Sequence, residues 1–188
     1  MVSRQDTYPL TTPERVQATP GFPTGVASAV LDQLIAKASS DFRSQTGQWI
    51  SRVENDTVTL DGDGSWCLLL PELPVTAVHF VTILGCGNQP GELLSPECCR
   101  FDWSAKGILR KCSHWPDRYR GVEVVYDHGY DPIPDDIQYA VAEAAAGAVS
   151  ARPGVERVQL GQASYTFAKQ GTTQTWANAV SKYKVRVK

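Results

Sequence analysis

The chain has 188 residues, with 18 basic and 20 acidic side chains, a net charge of −2 and 42% hydrophobic residues. That is room for one sizeable core and tight for two full domains. No apolar run approaches the roughly 20 residues of a spanning helix, so no membrane partner is expected, and the balanced charge gives no global field to recruit nucleic acid.

Met1-Val-Ser-Arg-Gln-Asp6 lacks the apolar core of a secretory signal, which predicts folding in a cytoplasm with reduced thiols. Residues 1–23 contain Pro9, Pro13, Pro20 and Pro23 with few large apolar side chains, the composition of an extended N-terminal arm. Thr11-Thr12-Pro13-Glu14 resembles a helix start that Pro20 and Gly21 stop within about two turns. From Thr24 the pattern changes: Val26, Val30, Leu31, Leu34, Ile35, Ala38 and Phe42 recur at helical spacing, and Gly47 supplies a C-cap.

Residues 51–130 read as β-rich. Thr57–Leu60, the turn residues Asp61-Gly-Asp-Gly64 and Trp66–Leu70 predict a hairpin. Leu73–Ile83, Phe101–Trp103, Gly107–Arg110 and Val122–Tyr126 add short strands. The chain then turns a polar corner made of Tyr126, His128, Gly129, Tyr130, Pro134, Asp135 and Asp136. Pro134 is tolerated in a helix's first turn and the two aspartates suit the positive end of its dipole. The helix that follows bears Ile137, Val141, Ala144, Ala145, Ala148 and Val149 and stops at Arg152-Pro-Gly154. Its alanines allow close approach by the first helix or by the same helix of a neighbouring subunit.

Val158–Phe167 reads as extended, and Lys182-Tyr-Lys-Val-Arg-Val-Lys188 alternates basic and apolar residues with period two. That alternation predicts an exposed strand suited to a partner's sheet edge, with weak attraction to DNA phosphates. The expected fold class is α+β. Two principal helices (24–50 and 133–152) pack together as a helical core, a small antiparallel β module (51–130) is inserted between them, and extended arms occupy 1–23 and 153–188.

No catalytic, cofactor or metal residues are assigned. Cys67, Cys86, Cys98, Cys99, Cys112 and His114 lack the knuckle spacing of a zinc site and read as ordinary thiols. Asp61, Asp63, Ser65 and Glu72 copy the acidic spacing of a calcium loop, but Trp66 stands where that loop needs glycine. None of His79, His114 and His128 has a supporting nucleophile motif. His128 reads as a corner residue bonded to backbone, and Asp127, Asp131, Asp135 and Asp136 as turn and capping residues. The reading from another class is a small metal-dependent or hydrolytic enzyme using His128 and those aspartates.

Taken in order, several segments resemble the head-to-tail adaptor (connector, or head completion) proteins of long-tailed bacteriophages, especially those infecting actinobacteria. They are the helix Val26–Phe42, Leu68-x-Leu70-Pro71-x-x-Pro74-Val75-x-x-Val78, Gly107-Ile-Leu-Arg110 with Trp115-Pro116, Val122-x-Val-x-Tyr-x-His-Gly-Tyr130, Ile133-Pro-Asp-Asp-Ile137 and Gly161-x-x-Ser-Tyr-Thr166. The resemblance covers most of residues 12–168. The cysteine-bearing loop 85–99 and the strand-like C-terminus depart from it.

The resemblance implies a non-enzymatic virion protein without cofactors, assembled in the host cytoplasm into a ring of twelve in the head–tail neck. It would sit between the portal and the next neck or tail-completion protein, with DNA passing through. Another neck or tail-completion role is the nearest alternative. Partner contacts are expected at Ala144, Ala145, Ala148, Tyr165 and Phe167 and at Lys182, Tyr183, Lys184, Val185, Arg186, Val187 and Lys188, the terminal segments making the axial ones. Removal of 177–188 is then expected to leave a folded chain that cannot join heads to tails.

Overall fold

The computed structural model describes residues 8–85, 90–94, 101–150, 157–160, 163–166 and 173–185. The fold is α+β, and the chain forms two compact units. Residues 49–131 make one, and the segments 3–48 and 132–188 together make the other.

The β unit contains β1 (Val53–Asp63), β2 (Cys67–Leu69), β3 (Val75–Ile83), β4 (Glu92–Leu94), β5 (Phe101–Trp103), β6 (Ile108–Lys111) and β7 (Asp117–His128). One antiparallel sheet has the order β1-β7-β3-β4 and a second the order β2-β6-β5. Alternation decides which face of each is dry. Val122, Val124 and Tyr126 of β7 join Val78 and Val81 of β3, Leu94 of β4, Leu68, Leu109 and Phe101 of the second sheet and the fully enclosed Trp115 in one core.

The hairpin expected from Asp61-Gly-Asp-Gly64 is not formed. β1 pairs with β7 along its length, from Val53↔His128 to Asp63↔Asp117, while β2 pairs with β6 in the other sheet. The turn residues serve a change of sheet: Asp61 accepts the Arg120 N–H at 2.7 Å, and Asp63 accepts the Ser65 N–H at 2.9 Å. A 12-residue partner strand offers β1 a longer ladder than three-residue β2 can.

The helical unit contains α1 (Pro13–Gln17), α2 (Ser28–Thr46), α3 (Asp135–Ser150) and α4 (Gln174–Tyr183), with the two-stranded ladder β8 (Arg157–Leu160) and β9 (Ala163–Thr166). The stripe foreseen on α2 is buried at Leu31, Ile35, Ala38 and Phe42, whereas Val30 is half exposed. Gly47 ends the helix in the left-handed conformation, φ 69°. The N-terminal stretch is partly core, against the reading of 1–23 as an arm. Leu10 and Val16 are fully buried, the Leu10 N–H donates to Ser39 Oγ at 3.0 Å, and the Arg43 guanidinium donates to the Tyr8 carbonyl. Thr12 caps α1 ahead of Pro13, within the helix start expected at Thr11–Glu14.

The largest difference lies at the C-terminus. Lys182 and Tyr183, expected in a strand, close helix α4 instead. Trp176 and Ala179 are buried, so this segment too is core, and Lys184 leaves the helix in an extended conformation. No helix among the described residues is long and apolar enough to cross a membrane.

Candidate assembly surfaces

The corner residues divide between the two units, because the division falls between Asp131 and Pro132. On the β side, Tyr126 and His128 stack with ring centroids 5.1 Å apart, and both are fully buried. His128 Nε2 meets Asp56 Oδ2 at 3.1 Å, a side-chain partner on β1 where a backbone partner was expected. An imidazole with no exposure cannot reach a substrate, so its placement suits a strut between β7 and β1 better than a base. Gly129 (φ 90°) donates to the Pro74 carbonyl at 2.9 Å, while Tyr130 donates to the Ile50 carbonyl at 2.8 Å and accepts from the Arg52 N–H at 3.1 Å.

Asp127 sits in β7, not in a turn as expected, and ties three strands together. It accepts the Asn55 N–H at 2.7 Å and meets His79 Nε2 of β3 at 2.7 Å. Burial works against its ionisation, but these hydrogen bonds and the charges of His79 and Arg52 outweigh burial, so its pKa lies below the ordinary aspartate value. A depressed folded pKa means stabilisation present above the unfolded value, about 3.9, and lost as pH falls through the folded value. Urea midpoints of the wild type should therefore decline on acidification below about pH 4, and Asp127→Asn should flatten that decline. At neutral pH the variant should lose about 1–2 kcal/mol. Equal acid slopes would refute the role given to Asp127.

On the helical side, the acidic pair opening α3 receives both ends of the unit. Asp135 pairs with Arg15 of α1 at 2.7 Å. Asp136 pairs with Lys182 of α4 at 2.7 Å and accepts from the Tyr183 hydroxyl at 2.9 Å. These aspartates were expected to serve only the start of α3. Burial acts against the Asp136 carboxylate, but the contacts from Lys182 and Tyr183 win and hold its pKa down. The hydrogen bond to Asp136 correspondingly raises the Lys182 pKa, and burial raises that of Tyr183. Pro134 accepts the Ile137 N–H at 3.1 Å in the first turn.

The expected partner residues are placed differently from one another. Ala144 and Ala145 are buried, and α3 packs against α1, α2 and α4 of its own chain. Their small side chains pack within the unit, the first of the two close approaches expected of them, and Ala148 is partly buried. Tyr165 pairs with Val158 across the β8–β9 ladder, and Phe167, Arg186, Val187 and Lys188 lie outside the described residues. Lys182 and Tyr183 are engaged with Asp136, leaving Lys184 exposed and Val185 partly so. Truncation at 177 would cut through α4, so a fully folded 1–176 chain is no longer expected. The sequence signal for α4 was Trp176, Ala179, Val180 and Tyr183 at helical spacing behind the capping Thr173.

Exposed apolar groups lie on the outer faces of both sheets. Phe80 and Leu93, 49% and 59% exposed, share the first sheet's outer face with Val125. Leu69 and Ile108 are cross-strand neighbours on the second, 59% and 40% exposed. Trp66 is also half exposed and stacks on His114 at 4.5 Å. Cys67 and Cys112 are exposed free thiols, and Cys86, Cys98 and Cys99 lie outside the described residues.

No protein-family model matches the sequence, nor does any curated protein. Solved structures do match. A chain in the neck of an empty gene transfer agent (GTA) particle, computed with C6 symmetry, aligns at 16% identity with TM-score 0.58, covering 96% of this chain and 91% of that one. A chain in the virion of a native GTA particle aligns at 18% identity with TM-score 0.51, covering 93% and 88%. Over nearly its whole length, the chain therefore has the fold of a protein in the neck of a gene transfer agent particle.

Proposed function

We propose that this chain is a structural protein of a bacteriophage virion, a head-to-tail adaptor that forms a ring in the neck. The observation that carries the reading is the near full-length likeness to a GTA neck chain, with insertion and helices both included in the alignment. The order of motifs that resembles adaptors of actinobacterial siphophages gives the finer assignment. C6 symmetry in that neck requires copies in multiples of six, and twelve is the number proposed for this ring. The exposed Phe80, Leu93, Leu69 and Ile108 are surfaces that an assembled subunit can cover.

In this reading one side of the ring meets the portal and the other a downstream neck or tail-completion protein. DNA passes through without sequence recognition, and assembly takes place in the host cytoplasm. Disrupting the gene should leave DNA-filled heads and separate tails in lysates, with joining restored by the wild-type chain in trans. Joined, infectious particles in its absence would overturn the assignment. Density for this chain in the tail tip, instead of the neck, would do the same.

A further inference from the structure

Beside α2 in the helical unit lies a groove of about 500 Å³. Pro9, Thr11 and Pro13 form one wall, and Asp32, Ile35 and Ala36 contribute to the other. The lining is mostly apolar, with two features that ask for a ligand. Thr11 is only 3% exposed, yet its hydroxyl has no hydrogen-bond partner among the described residues. An enclosed, unsatisfied hydroxyl is costly, so a backbone N–H or C=O brought into the groove would stabilise it. Asp32, on the wall, and Glu14, next to Pro13, have no ion-pair partner among the described residues. The occupant that fits is an extended peptide with apolar side chains on one face and basic side chains on the other.

The chain itself contains such a peptide, Lys184-Val-Arg-Val-Lys188. Lys184 is already extended (φ −67°, ψ 125°), and the Val185 N–H reaches the Thr46 carbonyl at 3.4 Å, at the far end of α2. From Thr46 back to Ala36 is ten residues of helix, about 15 Å, and to Asp32 about 21 Å. The three residues beyond Val185 span about 10 Å when fully stretched. With Val185 held at Thr46, Arg186–Lys188 therefore cannot reach Asp32 or Ala36 of their own subunit.

We infer that Arg186–Lys188 of one copy dock in the Thr11–Asp32–Ala36 groove of the next, with Val187 against the apolar walls and Arg186 and Lys188 toward Asp32 and Glu14, while Val185 stays at its own Thr46. Such a contact joins two different patches, so it propagates in one direction and closes as a ring, which is where it rests on the reading as a neck ring. It also moves this segment from the axial contacts expected of it to contacts within the ring.

The test titrates a fluorescent peptide of residues 183–188 onto the full-length protein at low salt. Saturable binding is expected, weakened about tenfold or more by Ala36→Trp, which fills the groove, and by Asp32→Lys, which reverses its charge. Circular dichroism should show both variants folded. A chain ending at Val185 should still bind the peptide but lose self-association in sedimentation velocity. A photo-crosslinker at position 36 in assembled particles should capture the C-terminal peptide of the same protein. Absent binding, equal binding to wild type and both variants, unimpaired assembly of the shortened chain, or capture of a different protein would each overturn the contact. The two readings fail separately. Peptide binding by a chain missing from purified necks removes only the neck assignment, and a neck protein whose groove ignores the peptide removes only the contact.

Discussion

Replacing Gly129 with alanine is expected to unfold most of the β unit. Two effects add at this position. Its φ of 90° is strained for any residue with a Cβ, costing about 1–2 kcal/mol. A Cβ there would also stand 2.3 Å from the Ser51 carbonyl oxygen and 2.9 Å from that of Ile50, both backbone atoms. Neither can step aside independently, because Ile50 accepts from Tyr130 and Tyr130 accepts from Arg52, while Gly129 itself donates to Pro74. Relief would break at least one of these bonds, and overpacking of this kind costs about 1–3 kcal/mol more. A loss of about 2–5 kcal/mol is a large part of a domain's usual stability. Hydrogen exchange would localise the effect, with protection falling across residues 122–128. An unchanged denaturation midpoint would mean that the Ser51 segment yields freely.

The second large effect is expected from Trp176→Ala in α4. Trp176 is 2% exposed, stands edge-on to Phe42 at 5.3 Å and 88°, and donates its indole N–H to Gln45 at 3.0 Å. Truncation removes a large side chain from a filled site, for which about 3–5 kcal/mol is usual. Trp176→Phe keeps most of the ring volume and loses the hydrogen bond, so its cost should be nearer 1–2 kcal/mol. Denaturation followed by far-ultraviolet circular dichroism reads both. Wild-type stability of Trp176→Ala would mean that α4 does not dock on α2.

The elements most legible in the sequence were those specified by local chemistry alone. The α2 stripe with Gly47 at its end, and the Pro134-Asp-Asp start of α3, each carry period and punctuation within a few residues. The turn at Asp61–Gly64 was visible as a turn, but the partner of β1 was not. Whether β1 continues onto β2 or onto β7 depends on strands more than 50 residues away, and turn chemistry is silent about that competition. α4 was obscured by a stronger neighbour: the period-two run of lysine and valine drew attention from the helical spacing of Trp176, Ala179 and Tyr183. The docking groove was invisible, because Thr11 and Asp32 have no local signature and matter only through their juxtaposition across chain segments. The acidic pair was foreseen as a cap, yet its ties to Arg15 and Lys182 join residues 120 and 46 positions apart.

Those two aspartates also set an order of events during synthesis. Every strand of the β unit has emerged from the ribosome once residue 131 is out, so that unit has all its partners early. At the start of α3, Arg15 is already waiting, but Lys182 and Tyr183 are made 46 and 47 residues after Asp136. The helical unit thus remains open at Asp136 until α4 has been made. A chain abandoned midway has every strand of its β unit but an unfinished helical unit, and proteolysis can remove it in that state.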